Sequence, residues 1–222
     1  MNDKQSYLEQ IDKYYNKKLA SHLLIEFGKT PEILQKFGAP DLPLVMQQST
    51  LTKCVRKKTG SRSAHELSRE VIETLPKQIE NPIFLIKDNA RNSIALISDT
   101  IDRNSNYILI AIGLNETRKE MQVNEIKSIY GKTNLKEYLQ KHSELEQLHI
   151  IDNKKAEMIS RVIGLQLPKA LIFSSYNKKI SSAEENVNNK DSLLDRLEKN
   201  KNKISNASKD RLERYQDHQT SR

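Results

Sequence analysis

The sequence predicts an α+β fold, with N-terminal helices followed by an antiparallel β-meander sheet covered on one face, and helices returning after it. Three observations point there. Tyr7, Leu8, Ile11, Tyr14, Tyr15, Leu19, Leu23 and Phe27 recur at helical spacing. After Asn81-Pro82 the period changes, and residues 83–86, 94–97 and 107–112 form apolar or β-branched runs parted by Asp/Asn-rich loops. Helical patterns then resume over residues 134–142 and 153–163.

The first run predicts an amphipathic helix over residues 1–28, ended by Gly28. Thr30-Pro31-Glu32 supplies a cap, a proline at the first helical position and an acidic first turn; Gly38 stops that helix. Leu44-Val45-Met46 is a short strand after a rigid turn. Ser49 or Thr50 caps the next helix, whose basic face holds Lys53, Arg56, Lys57 and Lys58, and Gly60 ends it. Residues 61–68 form a polar loop carrying His65, and a short helix capped by Ser68 follows. The fourth meander strand covers residues 121–126 and ends at Ser128, and Gly131 then lets the chain turn. Thr133 caps a helix, residues 148–151 form a last strand closed by Asp152, and another helix leads to Leu165-Gln166-Leu167-Pro168. Past Ile180 the composition turns Ser/Asn/Lys/Glu-rich. The expected division is an N-terminal helix (1–28), a compact α+β domain (29–180) and a polar tail (181–222), partly helical or disordered.

At 222 residues the chain can hold one real core and an appendage. No run approaches the roughly 18 to 20 apolar residues of a membrane helix, and the polar, acid-containing start is unlike a signal or transit peptide. A cytoplasmic setting, in the producing or a target cell, and no membrane partner are expected. The single cysteine, Cys54, excludes an internal disulfide and a cysteine-based zinc site, and is read as a buried structural thiol. The formal net charge is +8. The tail is nearly balanced, so the body carries the charge, as in a protein with a polyanionic partner; a merely soluble lysine-rich protein has the same composition.

There is no Gly-rich phosphate loop, no Gly-x-Ser-x-Gly, no His-Glu-x-x-His and no paired acidic metal motif. If such a chain cuts nucleic acid, it is expected to do so with no metal and no cofactor. RNA allows this, because its 2′-OH can attack the adjoining phosphate. The reaction needs a base for that hydroxyl, donors and cations for the phosphorane-like charge, and an acid for the departing 5′-oxygen. His65 can move a proton near neutral pH, as base or acid. Lys53 lies on the basic helix before it, Ser128 and Tyr130 can donate to a phosphate, and Lys127 or Lys132 adds charge. Arg56, Lys57 and Lys58 complete a nucleic-acid-binding face. Each has an ordinary alternative: an exposed loop histidine, a half-buried sheet-edge tyrosine, a turn serine, a solvated charge run.

The chain also resembles a known family. The pieces that carry this are Thr30-Pro31-Glu32-Ile33-Leu34 with Gly38 and Leu42-Pro43, then Leu51-Thr52-Lys53, His65-Glu66-Leu67-Ser68, Leu75-Pro76 and Asn81-Pro82-Ile83. Val123-Asn124-Glu125-Ile126-Lys127-Ser128-Ile129-Tyr130-Gly131-Lys132 and Leu165-Gln166-Leu167-Pro168 follow in the same order. Together they are similar to the C-terminal domain of phage MuF-type polymorphic proteins, a polyvalent-protein group placed with the barnase, EndoU, colicin and RelE-like nucleases. The resemblance implies helices followed by a four-stranded sheet, and metal-independent RNase activity in a toxin or effector of a mobile element. Lys53, His65, Ser128 and Tyr130 fall on positions that are polar in the family. The departures are the long basic segment before His65 and Glu66 where glycine is common.

The expected function is therefore a metal-independent endoribonuclease leaving a 2′,3′-cyclic phosphate, a toxin of a phage or conjugative element. Its expected partners are RNA and an immunity or antitoxin protein. The alternative is a non-catalytic module that binds nucleic acid or protein through the same surface. A structural or packaging accessory acting through a tail helix with Leu193, Leu197 and Ile204 is the third reading.

Overall fold

Alternation overrides helical spacing in the second half of the first segment. The computed structural model, which describes residues 3–20, 22–57 and 64–166, has helix α1 at Asp3–Tyr15 and strand β1 at Leu24–Lys29. The helix expected over residues 1–28 thus ends near its middle, and Lys17 just beyond it takes a left-handed φ of 57°. In β1, Ile25 and Phe27 are buried while Glu26 between them is exposed. A four-residue spacing is about one helical turn but also two pleats of a strand, so Leu23 and Phe27 satisfied both periods.

Helix α2 (Glu32–Gln35), β2 (Pro43–Gln47), α3 (Gln48–Val55), α4 (Arg69–Glu73) and α5 (Leu75–Glu80) follow. The meander is β3 (Phe84–Asp88), β4 (Ser93–Ile101), β5 (Tyr107–Arg118) and β6 (Met121–Gly131), succeeded by α6 (Leu135–Glu144), β7 (Leu148–Ile150) and α7 (Asn153–Ile163). The predicted caps divide. Ser68 accepts from the Val71 N–H at 3.4 Å and Asp152 from the Lys155 N–H at 3.1 Å. Neither Ser49 nor Thr50 caps α3, which starts after Gln47, and Thr133 is displaced by a left-handed Asn134. Thr30 serves the sheet instead of a helix end. Its hydroxyl donates to the Leu42 carbonyl at 2.6 Å and accepts from the buried Asn124 amide at 2.7 Å.

The α+β class read from the sequence is what the structure shows, with the meander inside a larger sheet. Seven strands run in the order β1-β2-β6-β5-β4-β3-β7, all antiparallel except the β2–β6 pair. On one face Leu85, Leu96, Ile110 and Ile126 pack with Tyr7 and Ile11 of α1, Leu51 and Cys54 of α3, and Ile72, Leu75 and Ile79. The Tyr7 hydroxyl anchors this layer by donating to the Ile72 carbonyl at 2.6 Å. The expectation of a single covered face is corrected on the other side. There Phe84, Ile97 and Leu109 pack with Leu135 and Leu139 of α6 and Ala156 and Ile159 of α7. The continuous apolar runs carried that signal, because a strand buried on both sides does not alternate.

One irregularity in β6 decides where its side chains point. Ala111 pairs with Ser128 but Ile112 pairs with Ile126, so Lys127 is an extra, bulged residue. The bulge lets Ile126 and Ile129, three residues apart, both enter the first core. Ser128 and Tyr130 are thereby turned to the second face.

Gly131 does not turn the chain as expected. It stays in the ladder opposite Ile108, and the next N–H, of Lys132, donates to the Tyr107 carbonyl at 2.8 Å. What the missing side chain provides is room for the Asp102 carboxylate, which lies against it.

Cys54 is 1 % exposed, its thiol donates to the Ile129 carbonyl at 3.4 Å, and burial pushes its pKa up to about 12. Alkylation by iodoacetamide in native buffer is expected to be negligible and to become complete in denaturant; rapid labelling of the native protein would contradict this burial.

Candidate active site where β6 passes beyond β2

Strand β2 covers β6 only from Asn124 to Ile126. Beyond that point the chain has left β2 for α3, and α3 takes over the flank of β6 through the Cys54–Ile129 contact. The loop after α3 is fastened to its last turn. The His65 N–H donates to the Lys53 carbonyl at 3.2 Å and the Leu67 N–H to the Cys54 carbonyl at 2.9 Å, with Leu67 buried as the anchor. Between these two bonds Glu66 takes φ 52°, a left-handed conformation that glycine adopts without strain.

This fastening delivers His65 to Tyr130. Their ring centroids are 5.3 Å apart at an interplanar angle of 30°. His65 is half-buried, and its Nε2 is shut from solvent with no hydrogen-bond partner among the described residues. Burial first, then the nearby Lys53 ammonium, lowers the imidazole pKa below its ordinary value, so the ring is neutral at neutral pH. Burial raises the Tyr130 pKa, which keeps the phenol a hydrogen-bond donor.

The remaining predicted residues divide by position. Ser128 is half-buried on the same face as Tyr130, one pleat along. The Lys132 ammonium lies 4.7 Å from the centre of the Tyr138 ring, a cation–π contact on the α6 side. Tyr138 is pushed up to about 12 by burial and packs edge-on against His142 at 4.5 Å. The basic helix face expected at residues 53–58 shrinks to a helix end. Helix α3 stops at Val55, and Arg56 is already extended, with ψ 138°. Lys57 is exposed beyond it, and Lys58 lies outside the described residues. Lys127 is not beside Tyr130. It reaches the other way and binds Glu125 at 2.6 Å and Glu116 at 3.1 Å.

That last cluster was missed from the sequence. The Glu125 side chain is 1 % exposed, yet it receives Gln47 Nε2 at 2.7 Å, Lys127 at 2.6 Å and Arg118 at 2.5 Å. Burial alone pushes its carboxyl up, but the bonds from Lys127, Gln47 and Arg118 outweigh this and hold the pKa below the ordinary value. A signal was present in part: Glu116-x-Arg118 and Glu125-x-Lys127 lie on the two strands of one hairpin. They meet diagonally rather than in register, since Glu116 opposes Val123 and Arg118 opposes Met121.

Two depressed histidines give a stability signature. His149, against Phe37 at 4.7 Å, is lowered like His65, by burial and then Lys87. Both are neutral in the native state, so as pH falls below about 6.5 the unfolded chain takes up protons first and the native state loses stability until the folded pKa values are passed. The urea midpoint is expected to drop between neutral pH and about pH 5, and to drop less in His149→Phe. A flat midpoint would contradict the burial of these rings.

Among the described residues no group of three or more His, Cys, Asp or Glu side chains is placed to hold a metal ion, and no helix is long and apolar enough to cross a membrane. No curated protein and no solved structure matches the chain. Residues 56–158, somewhat less than half of the chain, do match a family model. They run from the end of α3 into α7 and include His65, Ser128, Tyr130 and Lys132, though not Lys53. Over that stretch the chain is similar to the phage MuF C-terminal domain, a likeness that associates it with phage proteins.

Proposed function

We propose that the protein is a metal-independent endoribonuclease, a toxin or effector of a phage or conjugative element that an immunity protein would restrain. The observation that supports this best is the neutral, desolvated His65 ring held against the Tyr130 phenol, where β2 no longer pairs with β6. With Nε2 closed to solvent, Nδ1 is the nitrogen that takes the proton from the 2′-OH. The 2′-oxygen then bonds to phosphorus, and the bond from phosphorus to the 5′-oxygen breaks. That oxygen leaves with a proton from Tyr130 or water, giving a 2′,3′-cyclic phosphate and a 5′-hydroxyl. Lys53, Lys132 and Ser128 supply charge and a donor to the phosphoryl oxygens.

Incubation of the purified protein with total RNA in EDTA is the test. Fragments ending in a 2′,3′-cyclic phosphate are expected; intact RNA across a range of substrates would defeat the proposal. The closed Nε2 also favours a second reading, in which His65 and Tyr130 are a packing pair and the surface only binds nucleic acid. Binding without cleavage, weakening with salt at a slope of roughly 0.7 per neutralised phosphate of a single strand, would select it.

A further inference from the structure

The second sheet face continues past Tyr130, and small residues floor it. In successive cross-strand rows it presents Leu109 beside Tyr130, then Ala95, Ala111 and Ser128, then Ser93, Gly113 and Glu125. Ala95, Ala111 and Ser128 are half-buried at the margin of the second core. At the far end Lys127 and Glu116 lie directly over Gly113. A Cβ there would come 2.6 Å from a Glu116 carboxylate oxygen and 2.8 Å from Lys127 Cε. The shallow strip is therefore walled by Tyr130 at one end and by a charged cluster at the other.

The cluster is built in a way that stability alone does not require. A buried carboxylate holding two cations is commonly no more stabilising than apolar packing. Here Glu125 is sealed beneath, while the Arg118 and Lys127 side chains remain 30 % and 36 % exposed. Its effect is to fix two cations in place on an open face. One donor is left over: Arg118 Nε is shut from solvent and has no acceptor among the described residues. Glu116, 33 % exposed, only skirts Arg118 at 3.9 Å while it pairs with Lys127 at 3.1 Å. An unsatisfied guanidinium N–H beside a loosely held rim carboxylate is what an anion site looks like when its anion is replaced by a side chain.

We propose that Arg118 and Lys127, pinned by Glu125, form a second phosphate subsite for single-stranded RNA, with Glu116 as the carboxylate that the phosphate displaces. The RNA occupant rests on the nuclease reading. The Leu109 and Gly113 rows are four residues apart on β5, about 14 Å at a rise of about 3.4 Å per residue. An extended strand with one phosphate at His65–Tyr130 would place a phosphate two nucleotide steps away over Arg118, its intervening sugar lying along Ala111 and Ser128.

The test measures binding without cleavage, using fluorescently labelled 2′-deoxy oligonucleotides, a dinucleotide and a longer single strand, by anisotropy over a salt series. The long strand is expected to bind the parent with a steeper salt dependence than the dinucleotide. Arg118→Gln and Lys127→Gln each keep an amide donor toward Glu125, and each should flatten the long-strand slope by about 0.7. Glu116→Gln, at the rim, should tighten long-strand binding severalfold. Equal slopes for the two lengths in the parent, or unchanged long-strand binding in folded Arg118→Gln and Glu116→Gln, would reduce the cluster to a structural ion network and overturn the subsite. A parent that fails to cut RNA yet shows these slopes would instead sink the nuclease reading and support the subsite.

Discussion

His65→Ala is expected to lose about 10²- to 10⁴-fold in the rate of RNA cleavage, the range for removal of a positioned general base. Stability should move little by comparison. The substitution forfeits a ring contact with Tyr130, on the order of 1 kcal/mol, but also removes a buried nitrogen without a partner, whose presence costs a similar amount. His65→Phe separates the two roles, since it keeps the stack and cannot carry a proton. Equal loss in both variants, measured on 5′-labelled RNA with fold checked by thermal melting, supports a chemical role. Recovery of cleavage in His65→Phe would assign the ring to packing. In the parent, kcat/KM should rise as pH increases through the lowered His65 pKa and flatten above it, because the base must be neutral.

Gly131→Ala is expected to destabilise the fold by about 1 to 3 kcal/mol, the usual cost of forcing atoms into filled space. A methyl group there would lie 2.5 Å from Asp102 Cγ and 3.0 Å from Asn106 Cβ. Asp102 cannot retreat cheaply, because its Oδ1 accepts from the Asn104 and Asn106 N–H groups at 2.8 Å each and so shapes the β4–β5 loop. Gly113→Ala is the control. It too meets close neighbours, but they are the ends of the long Glu116 and Lys127 side chains. These can shift by a few tenths of an ångström and keep their ion pairs, so the substitution should cost well under half as much. Urea midpoints of the two variants measure the difference; equal effects would mean that Asp102 is not held as described.

The meander and the returning helices were legible because their signals are local: apolar runs, a change of period at Asn81-Pro82, and Asp152 before α7. Of the two edge strands, three-residue β7 was legible as the apolar run 148–151, but β1 was not, because it hid inside a spacing that suits helix and strand alike. At the candidate site, His65 and Tyr130 were named from chemistry, and the structure brings them together. The direction of Lys127 was lost because it depends on a one-residue bulge, and an extra residue changes which face every later side chain takes. Glu125 was passed over for a related reason. Its burial comes from Gln47 and Arg118, neither of which is next to it in sequence.

The parallel β2–β6 pair has a consequence in time. Leu44, Val45 and Met46 find their partners at Asn124, Glu125 and Ile126, and Asn124 also ties down Thr30 and Pro40. Those partners lie some 80 residues later, so the N-terminal third cannot close into the sheet until the fourth meander strand exists. On the ribosome β1, β2 and α3 emerge first and wait. Lys53 and His65 come out long before Tyr130, and the pair that the proposed chemistry needs is assembled only when β6 is added. Under the proposed chemistry, a nascent or truncated chain ending before residue 123 lacks Tyr130 and is expected not to cut RNA.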